Sequence, residues 1–172
     1  MSARSSEGVL ITGVYGSGKS TVAAEICYLL EQRRQPYALL DLDFLGWGVT
    51  DFDVGARTTT LMLRNLAAVA ANYRAAGIGL FILASFVSSQ NELDDIRAAA
   101  GVPFRVVRLT APLATIEQRL AAEVTTERQE ELRQAARHLA DGTGAGLEDV
   151  VVASDRPVSL VAREIMTWLS WD

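Results

Sequence analysis

Short, unbroken apolar runs alternate along this chain with longer stretches in which apolar residues recur at three- and four-residue intervals. The runs Gly8–Thr12, Tyr37–Asp43, Ile78–Ala84, Phe104–Leu109 and Asp149–Ala153 read as strands. Ile78–Ala84 has no polar alternation, as expected of a parallel strand covered on both faces. The intervening stretches predict helices over Thr21–Leu30, Thr58–Ala76, Gln90–Ala100, Ala111–Glu123, Glu127–Ala140 and Pro157–Trp171. In the second of these, Leu61, Leu63, Leu66, Val69, Ala70 and Tyr73 supply the buried stripe, and Gly77 is a natural stop. Pro112 stands at a first-turn position, where its missing N–H costs nothing. A Gly- and Asp-rich loop spans Phe44 to Ala56, and Asp141–Gly146 is a flexible break. Five strands alternating with helices predict one doubly wound α/β domain over residues 1–172, with ligands beyond the carboxyl ends of a parallel sheet.

The link from the first strand to the first helix carries the chemistry. Gly13-Val14-Tyr15-Gly16-Ser17-Gly18-Lys19-Ser20, followed by Thr21, has the form G-x-x-x-x-G-K-[ST] between a strand and a helix. Its glycines let successive backbone N–H groups curl into an anion-binding nest, and the helix directs its N-terminus at the same anion. In that context Lys19 is expected to reach the β- and γ-phosphates of a nucleotide, and the Ser20 hydroxyl to hold Mg²⁺. Lys19 is the only lysine in the chain; the other fifteen of its 16 cationic residues are arginine. A composition that otherwise favours arginine keeps a compact, flexible ammonium at this one position.

Composition narrows the partners. The net charge of −5, without a basic block, argues against a nucleic-acid-wrapping surface. One cysteine, Cys27, and one histidine, His138, leave no disulfide framework and make an intrinsic zinc site untenable. Cys27 reads as a small buried hydrophobe and His138 as a surface or packing residue. Met1–Glu7 is short and polar, and no apolar stretch reaches the ~18 residues that span a bilayer. The expectation is a cytoplasmic protein that engages no membrane. Trp168 and Trp171 on the last helix hint at a homodimer contact.

Asp41 and Asp43, two apart at the end of the second strand, are expected to face the same side of the sheet at its ligand end. Such a pair suits two tasks: a hold on Mg²⁺ together with Ser20, and a general base for a substrate hydroxyl. Asp43 is favoured as base because it lies nearer the loop. Asp51 and Asp53 are weaker candidates. Strand three ends in Leu83-Ala84-Ser85 without a carboxylate, which weakens a motor or switch ATPase and makes Ser85 a candidate for the Mg²⁺ water shell or the acceptor. Residues 119–140 carry Arg119, Arg128, Arg133 and Arg137 and are expected to form a lid that brings an arginine, Arg128 among them, to the phosphates. The plainer reading is a helix laced with ion pairs. Arg57 and Arg64 could recognise an anionic acceptor.

The glycine loop, Asp41-Leu42-Asp43, Arg64-Asn65-Leu66, Val107–Pro112 with Arg119-Leu120, and Ser154-Asp155-Arg156-Pro157 together resemble small-molecule P-loop kinases. The group includes adenylyl-sulfate kinase, gluconate kinase, chloramphenicol phosphotransferase and adenylate-kinase-like ATPases. The resemblance implies a three-layer P-loop NTPase fold with strand order 2-3-1-4-5 and a short helical lid. It implies ATP with Mg²⁺, Arg119 packed on adenine, and the Ser154–Val158 loop, with Arg156 and Pro157, lining the base. The chain departs from adenylyl-sulfate kinases, which carry an arginine where Gly46 stands and a Pro and Arg where Ser85–Ser89 lie. Phe44–Val49, including Trp47, places aromatic surface where an acceptor would sit, which suits a partly apolar or ring-shaped molecule. Two readings follow: an ATP-dependent phosphotransferase acting on a hydroxyl of a small molecule, antibiotics among them, or an ATP-binding or slowly hydrolysing module that regulates a partner.

Overall fold

The structure, a computed structural model, describes residues 6–46, 56–121 and 126–171, without the side chains of 56–58 and 126–128. The strands are β1 (Glu7–Thr12), β2 (Tyr37–Asp41), β3 (Leu80–Ala84), β4 (Phe104–Thr110) and β5 (Val150–Ala153). The helices are α1 (Lys19–Gln32), α2 (Leu42–Leu45), α3 (Ala56–Ala75), α4 (Gln90–Ala100), α5 (Leu113–Leu120), α6 (Thr126–Asp141) and α7 (Val158–Leu169). One sheet runs in the order β2-β3-β1-β4-β5, and every pairing is parallel. This is the expected P-loop NTPase-like arrangement, with β1 at its centre.

Alternation along β1 divides the core. Val9 and Ile11 turn to one face, where α1 and α7 pack through Ile26, Leu30, Val161 and Ile165. Leu10 turns to the other, beneath Leu66 and Ala70 of α3 and Leu93 and Ile96 of α4. A third, smaller cluster joins Val14 of the glycine loop to Ile116 and Leu120 of α5 and Ala135 of α6. The loop is therefore packed against the helices that follow β4.

Three sequence expectations change. The second strand stops at Asp41 instead of running to Asp43, because the Asp41 carboxylate accepts a hydrogen bond from the Asp43 N–H at 3.2 Å and caps the helical turn Leu42–Leu45. Asp41 and Asp43 consequently do not share a sheet face. In α3, Leu66 and Ala70 are buried and Met62 joins the core, but Tyr73 is exposed at the helix rim. The two C-terminal tryptophans are satisfied within the chain. Trp171 is buried, its indole N–H donates to Glu7 Oε1 at 3.2 Å, and the Trp168 ring lies 4.6 Å from the Arg105 guanidinium. Trp171 is thus no surface for a partner, whereas Trp168 stays partly exposed. Cys27 is buried in the core as expected, and burial pushes its thiol up to about 12.

Candidate active site

The glycine loop follows β1 directly and adopts backbone angles that side chains resist. Gly13, Gly16 and Gly18 have φ of 142°, 76° and 96°. At Gly13 a Cβ would stand 2.6 Å from the Leu109 carbonyl oxygen and 2.7 Å from Ser17 Oγ. At Gly16 it would meet Ile116 Cγ2 at 2.9 Å. The chain folds back on itself through Ser17 N–H to the Val14 carbonyl at 3.1 Å, and α1 opens at Lys19 immediately beyond the Gly18 cap. The result is a cradle of main chain at the carboxyl edge of β1, beside a helix N-terminus.

A cleft of about 480 Å³ opens from this cradle. Tyr15 to Val22, Asp43, Arg119, Glu131, Ser154, Arg156 and Val158 are among the residues that line it. Lys19 is 7% exposed; its Nζ donates to the Val14 carbonyl at 3.4 Å and sits 5.1 Å from the Tyr15 ring centroid. Burial lowers its pKa, opposed by the carboxylates of Asp43, Asp41 and Glu131. Ser20 Oγ donates to Asp41 Oδ2 at 2.7 Å. Asp43 lies at the exposed lip of the cleft. Desolvation by the cleft walls raises its pKa, with the Lys19 ammonium pulling down and the Asp41 and Glu131 charges pushing up.

Arg119 acts as a clasp. Its Nη1 donates to the carbonyls of Gly16 at 3.1 Å and Ser17 at 3.2 Å, and its Nη2 to the Ser154 carbonyl. Ser154 Oγ donates to the Ser17 carbonyl at 2.7 Å, so the β5–α7 connection is bound to the loop from both sides. Arg156 lines the cleft while donating to the Ala153 carbonyl at 3.1 Å and pairing with Glu164. Pro157 caps α7 and is exposed.

Other expectations fall elsewhere. Ser85 is buried and donates to the Phe86 carbonyl at 3.2 Å; it does not line the cleft, because β3 ends with its side chain turned into the protein. Arg64 is exposed on α3, away from the cleft lining. Arg133 is paired with Glu130 at 3.2 Å on the outer face of α6, matching the ion-pair reading. Trp47, Asp51, Asp53 and the side chains of Arg57 and Arg128 lie outside the described residues. The sequence reading missed Glu131. Its signal was the spacing Glu131, Ala135, His138, one helix face at i, i+4 and i+7.

The residues fit a nucleotide with a divalent cation. The loop keeps its shape only with glycine at 13 and 16, and the cleft beyond it is lined by the Lys19 ammonium, the Arg119 and Arg156 guanidiniums and the Ser20 and Thr21 hydroxyls. Among the described residues no cluster of three or more His, Cys, Asp or Glu could hold a metal by itself. A hydroxyl paired with a carboxylate, as in Ser20–Asp41, is a hard-oxygen set that suits Mg²⁺ completed by phosphate oxygens.

A loop of left-handed glycines at the carboxyl edge of a parallel 2-3-1-4-5 sheet defines a P-loop NTPase-like protein. Within that class the chain belongs to a family described as an AAA domain, whose model matches residues 9–141. Solved structures of the same fold include a sugar kinase from Janibacter sp. HTCC2649, 20% identical with a TM-score of 0.66 over 96% of this chain and 95% of that one. A gluconokinase from Sinorhizobium meliloti 1021 is 20% identical with a TM-score of 0.64 over 98% and 93%. The APS kinase of Mycobacterium tuberculosis, solved with AMPPNP and APS, is 22% identical with a TM-score of 0.58 over 96% and 98%. No curated protein matches the chain. No helix among the described residues is long and apolar enough to cross a membrane.

Proposed function

We propose that this protein is an ATP-dependent phosphotransferase that moves the γ-phosphate of ATP to a hydroxyl of a small-molecule acceptor. The observation that carries the reading is the convergence of Lys19, Ser20 and Asp43 on a single cleft, with Asp41 bonded to Ser20 behind them. A module that only binds nucleotide has no need of a raised-pKa carboxylate there. The sugar kinase, gluconokinase and APS kinase of like fold support the same class.

In this reading the amides of residues 13–21 and the Lys19 ammonium hold the phosphates, the ammonium leaving the Val14 carbonyl to do so. Arg119 fixes the loop against Ser154, and Arg156 and Pro157 border the base. Ser20 and Asp41 would hold Mg²⁺, which would supply charge neutralisation at the phosphates; Asp41 is the carboxylate bonded to Ser20, which favours it over Asp43 for that task. Asp43 accepts the proton of the acceptor hydroxyl as its oxygen bonds to the γ-phosphorus. The bond to the bridging oxygen breaks and ADP leaves. The chain works as one domain, with residues 119–140 as a lid that excludes water, hinged beyond the Arg119 clasp and carrying Arg128 over the phosphates.

The test is ADP release measured across a panel of sugars, polyols, cyclitols and hydroxylated antibiotics. At least one acceptor is expected to stimulate release, with Asp43→Asn abolishing the stimulation. Robust release that no acceptor changes, and that survives Asp43→Asn, would assign the protein to nucleotide hydrolysis instead.

A further inference from the structure

The strand order divides the charges of the cleft. β2 and β5 are the two edges of the sheet, and β1 with its glycine loop lies between them. Asp43 follows β2, whereas Arg156 follows β5 and Arg119 is bonded to the Ser154 carbonyl after β5. Both guanidiniums are engaged at that edge. Arg119 spans the Gly16, Ser17 and Ser154 carbonyls, and Arg156 donates to the Ala153 carbonyl and pairs with Glu164.

Helix α6 brings a second carboxylate to the cleft. The His138 ring stacks on Phe86, after β3, with centroids 4.5 Å apart, and β3 is the strand between β1 and β2. Ala135 is buried in the cluster that joins Val14 and Phe86. Glu131 stands one turn before Ala135 on the same face, half-buried, and lines the cleft with Lys19 and Asp43. Its charge favours the protonated form of both of those groups. The sequence around them adds no excess of cations: residues 47–58 set Asp51 and Asp53 against Arg57, and residues 122–128 set Glu123 and Glu127 against Arg128.

The charge of the acceptor follows, on the phosphotransferase reading. There Lys19 and Arg128 serve the phosphates and Asp43 faces the acceptor hydroxyl. We propose that Glu131 is a specificity-determining residue that accepts a hydrogen bond from an ammonium group close to that hydroxyl, so that the acceptors are hydroxylated amines such as amino sugars and aminocyclitols. A hydroxyl in place of the ammonium gives the same carboxylate a weaker, neutral donor. A carboxylate or sulfate in its place meets Asp43, Glu131 and the γ-phosphate, all of like charge. The expected order of acceptors is amine, then neutral parent, then acid.

The test is acceptor-stimulated ADP release across sets that differ in that one group: amino sugars and aminocyclitols, their neutral parents, and the corresponding uronic or carboxylated compounds. The best amine is expected to exceed its neutral parent at least about tenfold in kcat/KM, the worth of a charged hydrogen bond, with no stimulation by the acid. Glu131→Gln is expected to close most of that gap by raising the KM for the amine rather than lowering kcat, and Glu131→Asp to keep much of it. Amine and parent are compared on the same variant, so a partial loss of folded protein cancels from the ratio. An acid that matches or exceeds its amine, or an amine-to-parent ratio that Glu131→Gln leaves unchanged, would overturn this inference and leave the phosphotransferase reading standing. Stimulation by no compound at all would overturn that reading, and this inference with it.

Discussion

The backbone at Gly13 sits at φ 142° with the Leu109 carbonyl and the Ser17 hydroxyl where a side chain would go. Gly13→Ala is therefore expected to cost at least about 1–3 kcal/mol, read as a shift in the urea midpoint, with loss of nucleotide binding. Lys19 carries a different strain. Its folded pKa is lowered by burial, so the charged form costs stability at neutral pH, and the cost eases only as pH rises through that lowered value toward the ordinary lysine range. Lys19→Met should keep or raise the melting temperature while removing function, which separates a lost site from a lost fold. Asp43 gives the pH dependence. Its pKa is raised in the folded protein, so as general base it works only above that value, and kcat/KM should fall on an acid limb above the ordinary carboxylate range. Asp43→Asn should abolish the limb and slow transfer about 10²–10⁴-fold. At this scale the loop was legible because the chemistry demands particular residues at fixed spacing. The side-chain directions of Asp41 and Asp43 were not, because one carboxylate capping one N–H turned a strand into a helical turn.

Among elements, the clasp of Arg119 joins three: α5, which carries it, the glycine loop, and the β5–α7 connection. Arg119→Ala should lower the melting temperature by about 2–4 °C, as expected for the net loss of about 1 kcal/mol, and weaken nucleotide binding, measured by calorimetry. Arg119→Lys should recover little, since an ammonium cannot span three carbonyls in a planar fork. The helix positions were readable from periodicity. The inward face of α6 was not, because its charged residues satisfy the ion-pair pattern equally well: Arg133 pairs with Glu130 outside while Glu131, its neighbour in sequence, enters the cleft.

For the molecule as a whole, apolar runs identify which segments are strands but not their order. The order 2-3-1-4-5 came from the family resemblance carried by the glycine loop, and the all-parallel register agrees with it. The tryptophans show the opposite case. Trp171, read from the sequence as surface, is buried by the fold with Glu7 as its hydrogen-bond partner. The reading of function rests on whether the cleft binds a nucleotide through its terminal phosphates. The most direct measurement is calorimetric titration of Mg·ATP and of AMP into the protein and into Lys19→Met. Saturable binding of Mg·ATP that is at least about tenfold weaker for AMP and lost in Lys19→Met is the predicted result. Equal affinity for both nucleotides, or binding that Lys19→Met leaves intact, would contradict it.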